Sequence, residues 1–164
     1  MRIFGMLRIG CVFFSNLLLL WPDTVLAQGE VSVERGSYIA IIGGCHDCHT
    51  EGYGEAEGKI DPAKAMMGNA SVGWRGPWGV TYASNLRRYA YNRDEDTFVN
   101  DMRALKLYPP MPWYNVRAMV ESDIRSLYQY IMSLGEPGKS VPLPSADEPR
   151  TPYITIAPPT MPKS

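Results

Sequence analysis

Five consecutive residues, Cys45-His46-Asp47-Cys48-His49, have the types and spacing that covalent haem attachment requires. Two thiols three positions apart can add to the two vinyl groups of one haem, which fixes the ring to the chain. The histidine that directly follows Cys48 is then held beneath the ring, where it can bind the iron. The same spacing also occurs in half of a zinc site and in redox-active dithiols, so the surrounding sequence has to decide between the three.

The N-terminal sequence favours the haem interpretation because it predicts export. Residues 1–27 begin with the basic Arg2 and Arg8, continue with a largely apolar stretch from Cys11 to Trp21 and end at the small residue Ala27. This is the pattern of a secretory signal peptide, which would place the mature protein in the periplasm. The apolar stretch is short and interrupted by polar residues, so an uncleaved N-terminal anchor is the alternative.

The cysteine count limits what the two thiols of the motif can do. The chain has three cysteines, and Cys11 leaves with the predicted signal, so the mature chain keeps only Cys45 and Cys48. A structural disulfide elsewhere is therefore ruled out. A thioredoxin-like dithiol would need alternating strands and helices around it, and the sequence shows no such pattern.

Composition predicts one globular domain and excludes one class of partner. The chain has 164 residues, 45% of them hydrophobic and 20% charged, which suits a single domain with its own core. The formal net charge is −1, and nothing resembles the clustered basic face of a nucleic-acid-binding protein. We expect a signal peptide over residues 1–27, a folded domain over 28–135 and a proline-rich tail over 136–164.

The hydrophobic pattern predicts helices and gives no indication of a sheet. Apolar residues recur at helical spacing in three segments, 33–44, 94–107 and 122–134. Residues 61–67 fit one short helical turn behind Asp61. Residues 68–86 mix large aromatic side chains with glycines, so we expect an irregular loop that covers either a haem face or an ordinary core.

The C-terminal tail contains too many prolines to form a helix. It is expected to be disordered or to lie extended on the surface. Three apolar side chains favour partial docking of its end: Tyr153, Ile154 and Ile156.

The number of histidines in the chain limits the candidates for the second axial ligand of the iron. The chain has two histidines, and His46 lies inside the attachment loop, on the same side of the ring as His49. Two histidines of one monomer therefore cannot bind opposite faces, which leaves methionine, lysine, tyrosine, an amine terminus, water or an empty position. Met111 is the favoured candidate because a proline-stiffened loop, residues 109–113, can hold a weak thioether ligand in place.

Other methionines are weaker candidates for the sixth position. Met66 and Met67 remain as alternatives to Met111. The remaining methionines of the mature chain lie at apolar helical positions, before the last helix or in the tail: Met102, Met119, Met132 and Met161.

At this point the sequence resembles the class I cytochromes c, and more closely the periplasmic monohaem cytochromes of the type found as cytochrome c subunits of bacterial alcohol dehydrogenases. The resemblance covers roughly residues 31–135. The haem motif and the methionine loop are its specific parts, and the central segment is less specific. The resemblance rests on these segments: Glu34-Arg35-Gly36-x-Tyr38, Gly43-Gly44-Cys45-x-Asp47-Cys48-His49-Thr50, Gly76-Pro77-Trp78-Gly79, Tyr82-Ala83-x-Asn85-Leu86, Met111-Pro112-Trp113-Tyr114-Asn115 and Asp123-Ile124-x-x-Leu127-Tyr128-x-Tyr130-Ile131.

The resemblance implies an all-α class I cytochrome c fold, with the first and last helices crossing beside one covalent haem c. It implies that Cys45 and Cys48 attach the haem, that His49 and Met111 bind its iron, and that the protein transfers electrons and is not an enzyme. A dehydrogenase is the expected electron donor, and an oxidase or another cytochrome the expected acceptor. Two alternatives remain: a subunit fixed in a dehydrogenase or respiratory complex, which could bring it to a membrane, and a haem enzyme or sensor with an open sixth position.

Overall fold

The computed structural model describes residues 29–147, 149 and 151–161. The predicted signal peptide, residues 1–27, lies outside the described residues. Within the described ranges, six helices and a small three-stranded sheet surround an apolar core. None of the helices in this part of the chain is long and apolar enough to cross a membrane.

Three helices form where the hydrophobic pattern predicts them, and the first two begin at side-chain caps. The hydroxyl of Ser32 accepts a hydrogen bond from the N–H of Arg35 at 3.1 Å, and the carboxylate of Asp94 accepts one from the N–H of Thr97 at 2.7 Å. Residues 61–67 form hydrogen-bonded turns. The predicted helices are α1 (Val33–Ile42), α4 (Glu95–Ala104) and α6 (Glu121–Ser133). The three shorter helices are α2 (Cys45–His49), α3 (Leu86–Tyr91) and α5 (Trp113–Arg117).

Helices α1 and α6 cross in direct backbone contact at Gly36. A Cβ atom on Gly36 would lie 1.9 Å from the carbonyl oxygen of Ser126, so only glycine fits there. Beside this contact, the guanidinium of Arg35 donates to both carboxylate oxygens of Asp123, at 2.8 and 3.1 Å. The crossing of the first and last helices that the resemblance implied is therefore present, and it joins the two ends of the helical part of the fold.

The prediction of an all-α fold is wrong, because residues 69–83 form a β-hairpin that a strand of the tail extends. Strands β1, Asn69–Gly76, and β2, Gly79–Ala83, are antiparallel, and β3, Tyr153–Thr155, pairs with β1 in parallel. The strand order is β2-β1-β3. This segment was expected to be an irregular loop.

Two physical features hid the sheet from the sequence pattern. The register between the hairpin strands is irregular between Asn69 and Trp74, so the side chains of β1 do not alternate between apolar and polar. The partner on the other side of β1 is β3, which comes from the far end of the chain. Pairing over such a distance leaves no local periodicity to recognise.

The proline-rich tail lies extended against the sheet, as the expectation of partial docking requires. Val80 and Ser145 exchange two backbone hydrogen bonds, at 2.7 and 3.0 Å. Further along, the N–H of Ile156 donates to the carbonyl of Arg75 at 2.7 Å. The side chains of Tyr153 and Ile154 remain exposed, although the guanidinium of Arg75 lies over the Tyr153 ring, 5.8 Å from its centroid. The tail therefore docks largely through its backbone hydrogen bonds.

Candidate haem site

The attachment motif forms its own short helix, α2, which a glycine introduces. Gly44 precedes the helix with φ of 67°, a left-handed conformation that glycine adopts at little cost. The helical turn places Cys45 and Cys48 three positions apart on one side, and both cysteines are free thiols. The local structure thus presents the two thiols together, with His49 at the end of the same turn.

The ring of His49 is held in the tautomer that a metal ligand needs. Its Nδ1 lies 2.7 Å from the backbone carbonyl oxygen of Ser84, and because a carbonyl only accepts, Nδ1 must donate the proton. Nε2 then keeps its lone pair. Burial lowers the pKa of His49, which keeps the imidazole neutral near pH 7. A neutral histidine fixed through its other nitrogen is the usual arrangement of a metal-binding imidazole.

The environment of the two thiols argues against the dithiol interpretation. Burial raises the pKa of Cys45 to about 11 and also raises the pKa of Cys48. Both are therefore protonated near pH 7, whereas a redox-active dithiol depends on a stabilised thiolate. No three His, Cys, Asp or Glu side chains among the described residues are grouped to hold a metal ion.

An apolar cavity of about 220 Å³ brings three of the four predicted site residues together. Cys48, His49 and Met111 all line it. Cys45 is not among the lining residues; it is partly buried and packs against the hydrophobic core. Other walls of the cavity come from the sheet and from the loop between α4 and α5: Trp74, Tyr82, Ala83, Leu107, Tyr108 and Pro110.

Alternative methionine ligands do not line this cavity. Met66 is fully buried in the core. The side chain of Met67 packs against Gly138 at the start of the tail, since a Cβ atom added to Gly138 would lie 1.9 Å from the Met67 methyl carbon. Met102 is buried in the core on α4, and Met161 is 89% exposed. Among the methionines of the described ranges, Met111 alone shares the cavity with His49.

The residues around the cavity fit a haem in character. Its walls are mainly apolar and aromatic, as the faces of a porphyrin require. The indole Nε1 of Trp78 is buried without a hydrogen-bond partner among the described residues. The Trp78 ring stacks on the ring of Tyr108, which lines the cavity, with 6.0 Å between the ring centroids. An unpaired buried donor beside the cavity suits a cofactor whose propionate groups accept hydrogen bonds.

His46 lies between the two thiols and is fully buried in the core. Its Nδ1 is 2.7 Å from the hydroxyl oxygen of Thr50, and its Nε2 is 3.1 Å from the hydroxyl oxygen of Tyr130. Both ring nitrogens are thus engaged in the protein interior.

Two parts of the site were not recognised in the sequence. The ligand-orienting group is the carbonyl of Ser84, and a backbone carbonyl has no residue signature. The other is the tail segment Val141–Pro144, which lines the cavity. Its alternation of apolar residues with proline, Val141-Pro142-Leu143-Pro144, was the available signal, and it was interpreted only as a feature of an extended tail.

Similarity to known proteins points to the same chemistry. The chain is 26% identical over 139 residues to the protein named alcohol dehydrogenase (quinone), cytochrome c subunit, of Gluconacetobacter polyoxogenes, covering 76% of this chain and 27% of that protein. The protein of the same name from Komagataeibacter europaeus matches with the same identity and coverage. The chain is also 28% identical over 142 residues to the fructose dehydrogenase cytochrome subunit of Gluconobacter japonicus, covering 75% of this chain and 27% of that protein.

The chain spans about a quarter of the length of these alcohol and fructose dehydrogenase relatives. No protein-family model and no solved structure matches it. These relatives are named as cytochrome subunits of dehydrogenases. Together with the attachment motif folded beside an apolar cavity, these similarities support a cytochrome c-like protein.

Proposed function

We propose that this protein is a periplasmic single-electron carrier with one covalent c-type haem, whose iron is bound by His49 and Met111. One observation supports the proposal most directly. The neutral imidazole of His49, with its Nε2 lone pair available, lines the same apolar cavity as the thioether of Met111. The two side chains come from separate elements, α2 and the loop before α5, which lets them approach one ring from different directions.

Each of the four residues has a defined task in this proposal. Cys45 and Cys48 attach the haem, which supplies electron exchange between ferrous and ferric iron when bound. The bond from His49 to the Ser84 carbonyl orients the imidazole and increases its basicity. Met111 provides a soft sulfur ligand, which favours the ferrous ion and raises the reduction potential relative to two histidines. A filled sixth position leaves no place for a substrate.

The setting of the carrier follows from its predicted export and from its relatives. The proposed donor is a dehydrogenase, since the relatives described above are named as cytochrome subunits of alcohol and fructose dehydrogenases. The proposed acceptor is an oxidase or another cytochrome. Redox carriers of this kind meet their partners through small, transient interfaces.

The same relatives favour a second candidate, a subunit held permanently in a dehydrogenase complex. Gel filtration of a periplasmic extract separates the two. A free carrier elutes at the size of this chain alone, whereas a fixed subunit elutes with its complex.

The haem and its ligands are tested by optical spectra of the protein matured in a periplasm with haem-attachment machinery. We expect a c-type pyridine haemochrome at one haem per chain, together with the weak far-red band of sulfur bound to ferric iron. A c-type haem with a high-spin spectrum would instead support an enzyme or sensor with an open sixth position. Failure to attach haem would return Cys45 and Cys48 to the dithiol and metal interpretations.

The ligand assignment is tested by Met111→Ala, with Met161→Ala as the control because Met161 is 89% exposed and does not line the cavity. The Met111 variant should keep its covalent haem, lose the far-red band and bind carbon monoxide when reduced. The Met161 variant should behave as the wild type. Carbon monoxide binding to the reduced wild type as readily as to the Met111 variant would contradict the assignment.

A further inference from the structure

The proline-rich tail extends over the cavity that holds His49 and Met111. Four consecutive residues, Val141–Pro144, line the cavity together with Tyr82 of β2. Apart from these four, the cavity-lining residues lie in the sequence region of the cytochrome resemblance. The tail segment therefore adds a wall that the attachment motif and the methionine loop do not provide.

Hydrogen bonds fix this segment at both of its ends. Before it, the side-chain amide of buried Asn85 donates to the carbonyls of Pro137 and Lys139, at 2.6 and 2.8 Å. After it, Ser145 exchanges two backbone hydrogen bonds with Val80 at 2.7 and 3.0 Å. Between these anchors, Pro142 and Pro144 restrict the backbone to an extended form. A segment tied at both ends and stiffened between them is held in one place.

Asn85 also links the tail to the ligand-orienting group. It directly follows Ser84, whose carbonyl accepts the hydrogen bond from His49. The side-chain oxygen of Asn85 accepts a hydrogen bond from the N–H of Arg88 at 2.9 Å and so caps helix α3. The side-chain nitrogen of the same residue donates to the tail. One residue therefore fixes the position of the tail relative to the histidine side of the cavity.

Within the segment, Leu143 is 84% exposed although it lines the cavity. Covering this side chain with another apolar group would remove its apolar surface from water, which is favourable. A porphyrin edge in the cavity is a group of that kind.

We infer that Val141–Pro144 forms part of the haem-binding site, where Val141 and Leu143 pack against the haem and exclude water from its edge. This inference rests on the proposed function. Water exclusion disfavours the extra positive charge of ferric iron, so the segment should raise the reduction potential. The tail thereby acts as a positioning and shielding element of the cytochrome itself rather than as a free linker.

The placement of Leu143 is tested by proton NMR of the reduced, haem-loaded protein with labelled leucine methyl groups. A porphyrin ring current shifts methyl protons that pack on its face or edge, and Leu143→Ala identifies the Leu143 resonances by their loss. We expect both Leu143 methyl resonances to be displaced from the positions of exposed leucine methyls. Resonances at those ordinary positions would overturn the placement.

The shielding role is tested by the reduction potential of Val141→Ser/Leu143→Ser, which keeps the prolines and adds no charge. Met161→Ser is the matched control, because Met161 is an exposed apolar residue of the same tail outside the cavity. We expect the double variant to have a lower potential than the wild type and the control to be unchanged. An unchanged potential in the double variant would overturn the shielding role.

Failure of this inference can be told apart from failure of the proposed function. A c-type haemochrome with the far-red sulfur band and undisplaced Leu143 methyl resonances would leave the His49 and Met111 assignment intact and remove only the tail from the site. Absence of covalent haem would overturn both.

Discussion

The Nε2 atom of His46 lies 3.1 Å from the hydroxyl oxygen of Tyr130, which joins the attachment helix α2 to the last helix α6. The same ring contacts the hydroxyl of Thr50 through Nδ1 at 2.7 Å and stacks on Tyr53 at a centroid distance of 5.2 Å. The hydroxyl of Thr50 in turn accepts a hydrogen bond from the N–H of Met66 at 2.9 Å. The residue between the two thiols thus ties the turn that carries Cys45 and Cys48 to the core.

This relationship predicts the effect of His46→Leu. The apolar side chain keeps much of the volume but removes the hydrogen bonds of His46 with the hydroxyl groups of Thr50 and Tyr130. The Thr50 hydroxyl keeps its bond from the N–H of Met66, and the Tyr130 hydroxyl keeps its bond with Ser37. The loss is therefore about 0.5–1.5 kcal/mol for each of the two hydrogen bonds. We expect a lower denaturation midpoint in the haem-loaded protein, with the c-type haemochrome retained because Cys45 and Cys48 are unchanged.

A matched variant separates the hydrogen bonds of His46 from its packing. Tyr130→Phe removes one of the two partners and keeps the ring, so it should destabilise the protein less than His46→Leu. Denaturant unfolding of both variants and the wild type is the measurement. Equal midpoints for His46→Leu and the wild type would show that the hydrogen bonds of His46 do not stabilise the fold.

Gly36→Ala is expected to disturb the crossing of α1 and α6. The added Cβ would lie 1.9 Å from the Ser126 carbonyl oxygen, a backbone atom that cannot move without shifting the helix. Overpacking of this kind costs about 1–3 kcal/mol. Thermal unfolding should show a lower midpoint, while Gly54→Ala, where nothing lies within 4 Å of the added atom, serves as the control and should change little.

Single replacement of Cys45 or Cys48 by alanine should reduce covalent attachment of the haem to one thioether bond at most. The pyridine haemochrome band should then shift toward that of a haem with one free vinyl group, and the yield of haem-loaded protein should fall. The Cys11→Ala variant is the control, since that residue belongs to the predicted signal peptide. An unshifted haemochrome band in either motif variant would contradict the roles given to these thiols.

The sequence predicted well those parts of the protein that local chemistry determines. Helices α1, α4 and α6 have continuous apolar stripes, and Met111 lies on a loop whose prolines are visible in the sequence. The apolar cavity that Met111 shares with His49 agrees with its selection as a candidate, although coordination of iron stays a prediction.

What the sequence did not predict depends on contacts between distant segments or on backbone atoms. Strand β3 pairs with β1 from the opposite end of the chain, and the irregular register of the hairpin removes the alternation that would mark a strand. The carbonyl of Ser84 orients His49 through an atom that every residue possesses. The role of His46 in the core depends on Thr50 and on Tyr130, which lies on the last helix.

The carboxylate of Asp101 is the centre of a small polar cluster between α3 and α4. One of its oxygens accepts hydrogen bonds from the guanidinium of Arg93 at 2.6 Å and from the hydroxyl of Tyr89 at 2.8 Å. The guanidinium carbon of Arg93 also lies over the Tyr89 ring, 3.6 Å from the ring centroid. The bond from Arg93, with a further contribution from Tyr89, lowers the pKa of Asp101 below its ordinary value of 3.8.

This shift gives the sign of a pH effect on stability. The pKa of Asp101 is lower in the folded state than in the unfolded state, where it is near 3.8. The stabilising contribution of Asp101 is therefore fully present above pH 3.8 and is lost as the pH falls through the folded-state pKa. Asp101→Asn should therefore lower the free energy of unfolding by about 1 kcal/mol at pH 7, and this difference from the wild type should shrink in strong acid. Urea unfolding at several pH values, with Glu55→Gln at an exposed carboxylate as the control, measures it. A difference that stays constant across that range would show that the charge of Asp101 is not the stabilising feature.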